Sequence, residues 1–113
     1  MKRNTIPVET GPVTQQRWEN LTLPQQLGSI GSEFSIYVLF LKKENTIDSS
    51  KSLAEVLRLL DLTIADKRWV NRLKDLTIFR KVLCDTTMGE TVHHAAVDKL
   101  QDYILSFALL ARK

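Results

Sequence analysis

Between Leu23 and Leu41 apolar side chains return every three or four residues: Leu23, Leu27, Ile30, Phe34, Tyr37, Val38 and Leu41. That spacing lays them in one stripe and predicts an amphipathic α-helix with a single buried face. Its start is written just upstream. Thr22 supplies an N-cap hydroxyl, Pro24 sits in the first turn where a missing N–H costs nothing, and Gln25 completes a Thr-x-x-Gln capping box. Gly28 and Gly31 would each cost about 1 kcal/mol against alanine inside a helix. They are expected to mark close approach by another helix or by Trp18. Lys42 and Lys43 suit the C-terminal dipole, and Asn45 closes the helix.

Three further stripes lie downstream. Leu53, Val56, Leu57, Leu60 and Ile64 predict a second helix capped by Asp48 or Ser49. Trp69, Leu73, Leu76, Phe79 and Leu83 predict a third over Lys67–Thr87, stopped by Gly89. Val92, Ala96, Leu100, Tyr103, Phe107 and Leu110 predict a fourth, opening at Thr91. Neither Gly nor Pro separates the second from the third, so one helix from about Ser50 to Thr87 is the alternative. Asp66 as a fresh N-cap favours a break at Ala65–Asp66.

The same central region repeats itself. Under a shift of fourteen residues Arg58 falls on Arg72, Leu59 on Leu73, Asp61-Leu62-Thr63-Ile64 on Asp75-Leu76-Thr77-Ile78, and Lys67 on Lys81. Fourteen residues are two heptads, so matched positions are expected on nearly the same helical face. No alternating strand pattern appears. The fold class expected is all-α: an antiparallel four-helix bundle over residues 17–113. A flexible N-terminal arm, residues 1–16 with Pro7, Gly11 and Pro12, precedes it, and Arg17–Leu21 is expected to lay Trp18 onto the domain.

Composition changes this picture little. A chain of 113 residues, 43% hydrophobic and 26% charged, builds one soluble core. The net charge of +3 is a mild argument for an anionic partner. The single cysteine, Cys84, rules out an internal disulfide and fits a reducing compartment. Met1-Lys2-Arg3 is followed by no apolar run of signal-peptide length, and Phe34–Leu41 is too short to span a bilayer. A cytoplasmic protein without a membrane partner is expected.

The charged residues offer two candidate sites. Arg72 and Arg80 fall within the apolar arc of the third helix, where an unpaired charge is costly. Glu33, Asp61 and Asp102 are the acids in reach. A structural role is expected, as a buried ion pair among Arg72, Arg80, Glu33 and Asp61 or as arginines snorkelling at the arc's edge; an anion or substrate site inside the bundle is the functional alternative. Glu33, Arg80 and Asp61 also carry a third-ranked reading, a small hydrolase or nuclease. Lys67, Lys74 and Lys81 recur every seven residues along one outer stripe, and Arg68 joins them. That face either keeps the protein in solution or binds an anion or nucleic acid. His94, Asp98 and Asp102 form an i, i+4, i+8 ladder that reads as surface electrostatics rather than a metal site. Cys84 reads as packing. No phosphate-binding glycine loop, Ser-His-Asp arrangement or zinc spacing is present, so no catalytic residue, metal or cofactor is assigned.

A second apolar face says more. Ile36, Leu39 and Phe40 lie away from the core stripe of the first long helix, as Leu105 and Leu109 do on the last. A helix apolar on both sides is buried on both, so these five predict a protein or homo-oligomer interface, with cover by the N-terminal arm, Ile6–Val13 and Trp18, as the rival explanation. The leading expectation is a non-catalytic, self-associating helical interaction module with a basic face. The second is an accessory protein contacting RNA or DNA backbones.

Two runs, Leu27-Gly28-Ser29-Ile30-Gly31-Ser32-Glu33 and Leu59-Leu60-Asp61-Leu62-Thr63-Ile64-Ala65-Asp66, carry a family resemblance. With Arg80, Asp85 and the ending Phe107-Ala108-Leu109-Leu110-Ala111-Arg112, they resemble a family of small, functionally uncharacterised bacterial helical proteins over residues 17–112. Ser29, where that pattern has Asn, and Thr86–Thr91 depart from it. In architecture the chain also resembles the four-helix-bundle proteins of ribosomal-RNA intervening sequences and of diversity-generating retroelements. That likeness implies a basic, ring-forming oligomer with nucleic-acid partners.

Overall fold

The helix with the clearest stripe is the one the others pack around. In the computed structural model, which describes residues 13–89 and 92–111, it runs as α2 over Leu23–Lys42. Thr22 accepts a hydrogen bond from the Gln25 N–H at 3.3 Å while the Gln25 side chain accepts from the Thr22 N–H at 2.8 Å, closing the expected capping box. Around it lie α1 (Gln15–Trp18), α3 (Thr46–Ile64), a 3₁₀ turn over Lys67–Arg72, α4 (Leu73–Thr87) and α5 (His94–Ala111). The described residues are helical or in short connections, with no strand among them. None of these helices is long and apolar enough to cross a membrane.

The core is continuous through all four long helices. Ile30 and Phe34 of α2, Val56 and Leu60 of α3, Leu76, Phe79 and Leu83 of α4, and Val97 of α5 have no exposed surface. Each such side chain removed from water stabilises the fold by roughly 1.5–3 kcal/mol. Phe79 sets its ring edge-on to Tyr103 and Phe107, centroids 5.7 and 5.9 Å away, which ties α4 to α5. α2 makes its broadest contacts with α3 on one side and α5 on the other. At Gly31 α5 approaches closely: an added Cβ would stand 3.3 Å from Ile104 Cγ2. Gly28 has nothing within 4 Å of such a Cβ, so the close approach expected there is absent.

The connections explain where the element boundaries fall. α2 ends with Glu44 at φ 58, a left-handed residue whose N–H bonds Leu41 O, while the Asn45 N–H reaches Phe40 O at 2.9 Å. Asn45 then caps α3 by accepting from the Asp48 N–H. The second long helix therefore begins at Thr46, ahead of the expected Asp48 or Ser49. The break expected at Ala65–Asp66 is present. Asp66 is extended, and its carboxylate accepts from the Arg68 N–H at 3.1 Å.

Beyond Asp66 the chain departs from expectation. Lys67–Thr87 is not one α-helix, because Trp69 leaves helical geometry at φ −103, ψ 24 and the first six residues wind as 3₁₀. The fourteen-residue repeat is consequently split between the end of α3 and the start of α4. Thr63 is buried but its counterpart Thr77 is exposed, so matched residues do not share a face.

Two stripes are also rotated from their expected positions. On α3, Leu59, Thr63, Ser52 and Ser49 face inward beside Val56 and Leu60, leaving Leu53, Leu57 and Ile64 half-buried. On α5, Val97 and Ile104 fill the core rather than Ala96 and Tyr103. The N-terminal arm begins to join the domain sooner than expected. Arg58 Nη1 donates to Val13 O at 2.7 Å, Gln15 Nε2 donates to Leu62 O at 3.1 Å, and Trp18 is 2% exposed. Residues 1–12 of that arm, and Thr91 at the expected start of the fourth helix, lie outside the described residues.

Candidate interaction surface

One stripe of α2 faces α5 without entering the core. Gly28, Ser32, Ser35 and Leu39 succeed one another at steps of four, three and four residues. The matching stripe of α5 is Asp98, Asp102, Leu105 and Leu109, at the same steps. The helices pass each other in opposite senses. Lys42 pairs with Asp98 at 3.2 Å at one end, Gln101 Nε2 donates to Ser35 Oγ at 2.7 Å in the middle, and Gly31 meets Ile104 further down.

Between the stripes lies an open hollow of about 340 Å³, with Leu27, Gly31 and Ile104 among its lining residues. Gly28, Ser32 and Ser35 line it from α2, and Gln101, Asp102 and Leu105 from α5. The hollow exists because the α2 stripe is built of small residues. Large apolar side chains stand beside it. Leu39 is 52% exposed, Leu105 62% and Leu109 52%. On α2 the outward positions from Gln25 to Leu39 carry no charge, and Glu33, on the α3 side, is the one charged residue between Leu23 and Leu41. For a chain that is 26% charged, that is a surface low in the groups that favour water.

The five residues expected at an interface do not form one patch. Leu39, Leu105 and Leu109 belong to the α2–α5 surface. Phe40 is half-buried and lies fourteen residues after Gln26, which places it on the α3-facing side of α2, since Gln26 bonds Asp66 beyond the end of α3. Ile36, 43% exposed, lies between the two sides.

The expected buried ion pair is corrected. Arg80 does bind Asp61 through two hydrogen bonds, Nε to Oδ1 at 2.7 Å and Nη2 to Oδ2 at 3.2 Å. The pair nevertheless stands at the surface, with 37% and 54% of the side chains exposed. Arginine's long stem leaves the apolar arc and carries its charge to water. Glu33 and Arg72 are half-buried and form no ion pair with either residue. Of the hydrolase reading, Arg80 and Asp61 are brought together, as an exposed ion pair, and Glu33 makes no ion pair or hydrogen bond with either.

The buried charge lies elsewhere, at Asp66, whose side chain is 1% exposed. Arg68 grips it through Nε at 3.0 Å and Nη2 at 2.7 Å, and Gln26 Nε2 donates to it at 3.1 Å. Gln26 also donates to Trp18 O at 2.9 Å and accepts from Trp69 Nε1 at 3.0 Å, while Trp18 Nε1 reaches Thr63 Oγ1 at 2.9 Å. Hydrogen bonds from Arg68 hold the Asp66 carboxyl below its ordinary range against the opposing effect of burial. This network joins α1, α2, the end of α3 and the 3₁₀ turn. Its polar atoms are occupied by one another, which suits a clasp and not a ligand site. Asp66 as a cap and Trp18 on the domain were legible in the sequence, and a polar Gln26 in an otherwise apolar inward position was the signal that could have joined them.

The basic face is also reduced. Arg68 is spent on Asp66, on Leu21 O at 2.7 Å and on the Trp69 ring at 4.4 Å. Lys81 pairs with Asp85 one turn on, and that pairing raises its pKa. Lys67 and Lys74 are exposed, but a 3₁₀ turn advances about 2 Å and 120° per residue, so Lys67 is out of line with Lys74 and Lys81. Of the histidine ladder, His94 and Asp102 are exposed, and Asp98 is taken by Lys42. Cys84, half-buried, accepts from Arg80 Nη1 at 3.6 Å.

No family model, curated protein or solved structure matches the chain.

Proposed function

We propose that the protein is a non-catalytic helical interaction module that self-associates through the α2–α5 surface, its four long helices forming an antiparallel bundle. One observation carries this reading: a hollow walled by Gly28, Ser32 and Ser35, with Leu39, Leu105 and Leu109 each more than half exposed on the stripes beside it. Small residues let a third helix approach closely, and large ones beside them provide apolar area to bury. A second copy supplies both features at once, because an isologous contact needs a self-complementary patch. Sedimentation equilibrium of the full chain is the test. Leu105→Glu should shift the population to monomer without lowering the unfolding midpoint, whereas Ile78→Glu on α4 should leave association intact. A chain that stays monomeric at high micromolar concentration contradicts the proposal.

A second reading, an accessory protein that contacts RNA or DNA backbones, draws on Lys67 and Lys74, both exposed and without a carboxylate partner among the described residues. Each phosphate contact contributes about 0.9 to the slope of log affinity against log salt. Lys67→Glu with Lys74→Glu should flatten that slope in a gel-shift titration. No shift at low salt removes this reading.

A further inference from the structure

α5 sorts its charges to opposite sides. Lys99 lines a second groove, shared with Val82 and Thr86 of α4, while Asp98 and Asp102 lie on the α2 side. Asp98 is neutralised there by Lys42 at 3.2 Å. Asp102 is not: its exposed carboxylate lines the α2–α5 hollow and forms no ion pair or hydrogen bond among the described residues. Nothing facing it on α2 answers the charge. Gly28, Ser32 and Ser35 are neutral, and Ser35 already accepts from Gln101. Lys43, the next cation along α2 after Lys42, stands eight residues beyond Ser35, roughly 12 Å along the helix. Among the described residues, the apolar surface of Leu39, Leu105 and Leu109 thus holds one uncompensated negative charge.

Self-association through this surface doubles that charge. An isologous contact presents the same patch from both copies. One centred on the hollow therefore brings two Asp102 carboxylates together, whichever way the two-fold axis runs. It adds no free cation, because Lys42 of each copy is held by Asp98 of its own chain. Like charges set against each other oppose a contact, and each carboxylate also gives up water to the leucines around it. We infer that Asp102 gates self-association: its charge holds the equilibrium toward the monomer, and screening or removing that charge closes the α2–α5 contact. The inference rests on the self-association proposed above and adds what regulates it. Leu105 and Leu109, on the next turns of the same stripe, supply the attraction that Asp102 opposes.

Sedimentation equilibrium of the full chain and of its Asp102→Asn variant, each at about 0.01 M and about 1 M salt, tests this, since the screening length falls from about 30 to about 3 Å over that range. In low salt Asp102→Asn should tighten the dimer at least about fivefold, the factor expected for two unit charges about 8 Å apart near a protein surface. The unaltered chain should tighten on adding salt, and the variant should respond less. A general charge effect runs the other way, because losing one acid raises the net charge from +3 to +4 and so repels a second copy more. Asp75→Asn, which makes the same change on α4, should not tighten the dimer. A dimer that Asp102→Asn leaves unchanged or weakens overturns the inference and leaves self-association standing. Monomer in every sample, Asp102→Asn in high salt included, overturns self-association itself, and the inference falls with it.

Discussion

Removing the Asp66 carboxylate should cost several times more than removing the Arg80 guanidinium, although a helical wheel puts the arginine nearer the core. Asp66→Ala deletes an N-cap, worth about 1 kcal/mol. It also strands the Gln26 amide, which keeps its bond to Trp18 O but loses its acceptor at Asp66 inside the core. A buried donor left unsatisfied costs about 1–3 kcal/mol. Arg68 adds little, because its side chain is 42% exposed and turns to water. The total expected is about 2–4 kcal/mol.

Arg80→Ala breaks only an exposed pair and should cost about 0–1 kcal/mol. Urea unfolding monitored by circular dichroism at a single pH measures both. Equal costs, or a larger cost for Arg80→Ala, would refute the placement of the buried charge at Asp66. The pH dependence adds a check of sign. Folding lowers the Asp66 carboxyl from its ordinary 3.8, so between the two values the folded chain binds fewer protons than the unfolded one. Stability therefore rises with pH across that window. The contribution is complete above about pH 5 and is lost as pH falls through the folded value. Asp66→Asn, which keeps a cap and an acceptor for Gln26, should remove that part of the acid sensitivity.

Three further outcomes are expected. Glu44→Gly should stabilise the fold by about 0.5–1 kcal/mol in thermal or urea unfolding, because a left-handed φ of 58 costs a side chain about 1–2 kcal/mol and glycine's greater freedom when unfolded returns part of that. Trp18→Ala should destabilise by about 3–5 kcal/mol, since a side chain 2% exposed leaves a cavity and Thr63 Oγ1 loses its donor. Gly28→Ala should raise monomer stability by up to about 1 kcal/mol, because nothing stands within 4 Å of the new methyl. The same methyl narrows the α2–α5 hollow, so association measured by sedimentation should weaken.

How far the sequence could be read depended on whether a feature was local. α2 was legible from Thr22 onward, because its stripe and its capping box both lie within a few residues of each other. The break at Asp66 was legible for the same reason. The 3₁₀ turn was not: Trp69 leaves helical geometry in a stretch where its indole is drawn to Gln26 on another element, a contact forty-three residues away in sequence. Pairing of Arg80 was legible but its depth was not, because a wheel fixes the direction of a Cβ, whereas the charge sits at the end of a flexible stem. The α2–α5 hollow left a faint signal in the seven-residue spacing of Gly28 and Ser35 around Ser32. Nothing local says that Leu105 and Leu109 will stand beside it, because only the docking of α5 at Gly31 decides that.

The self-association surface is tested most directly by isotope-filtered NMR on a mixture of labelled and unlabelled full-length protein. Intermolecular contacts are predicted from the methyl groups of Leu39, Leu105 and Leu109 to protons of the second copy, with Gly28 and Ser32 among the perturbed amides. Intermolecular contacts confined to α4, or none at millimolar concentration, would contradict the account.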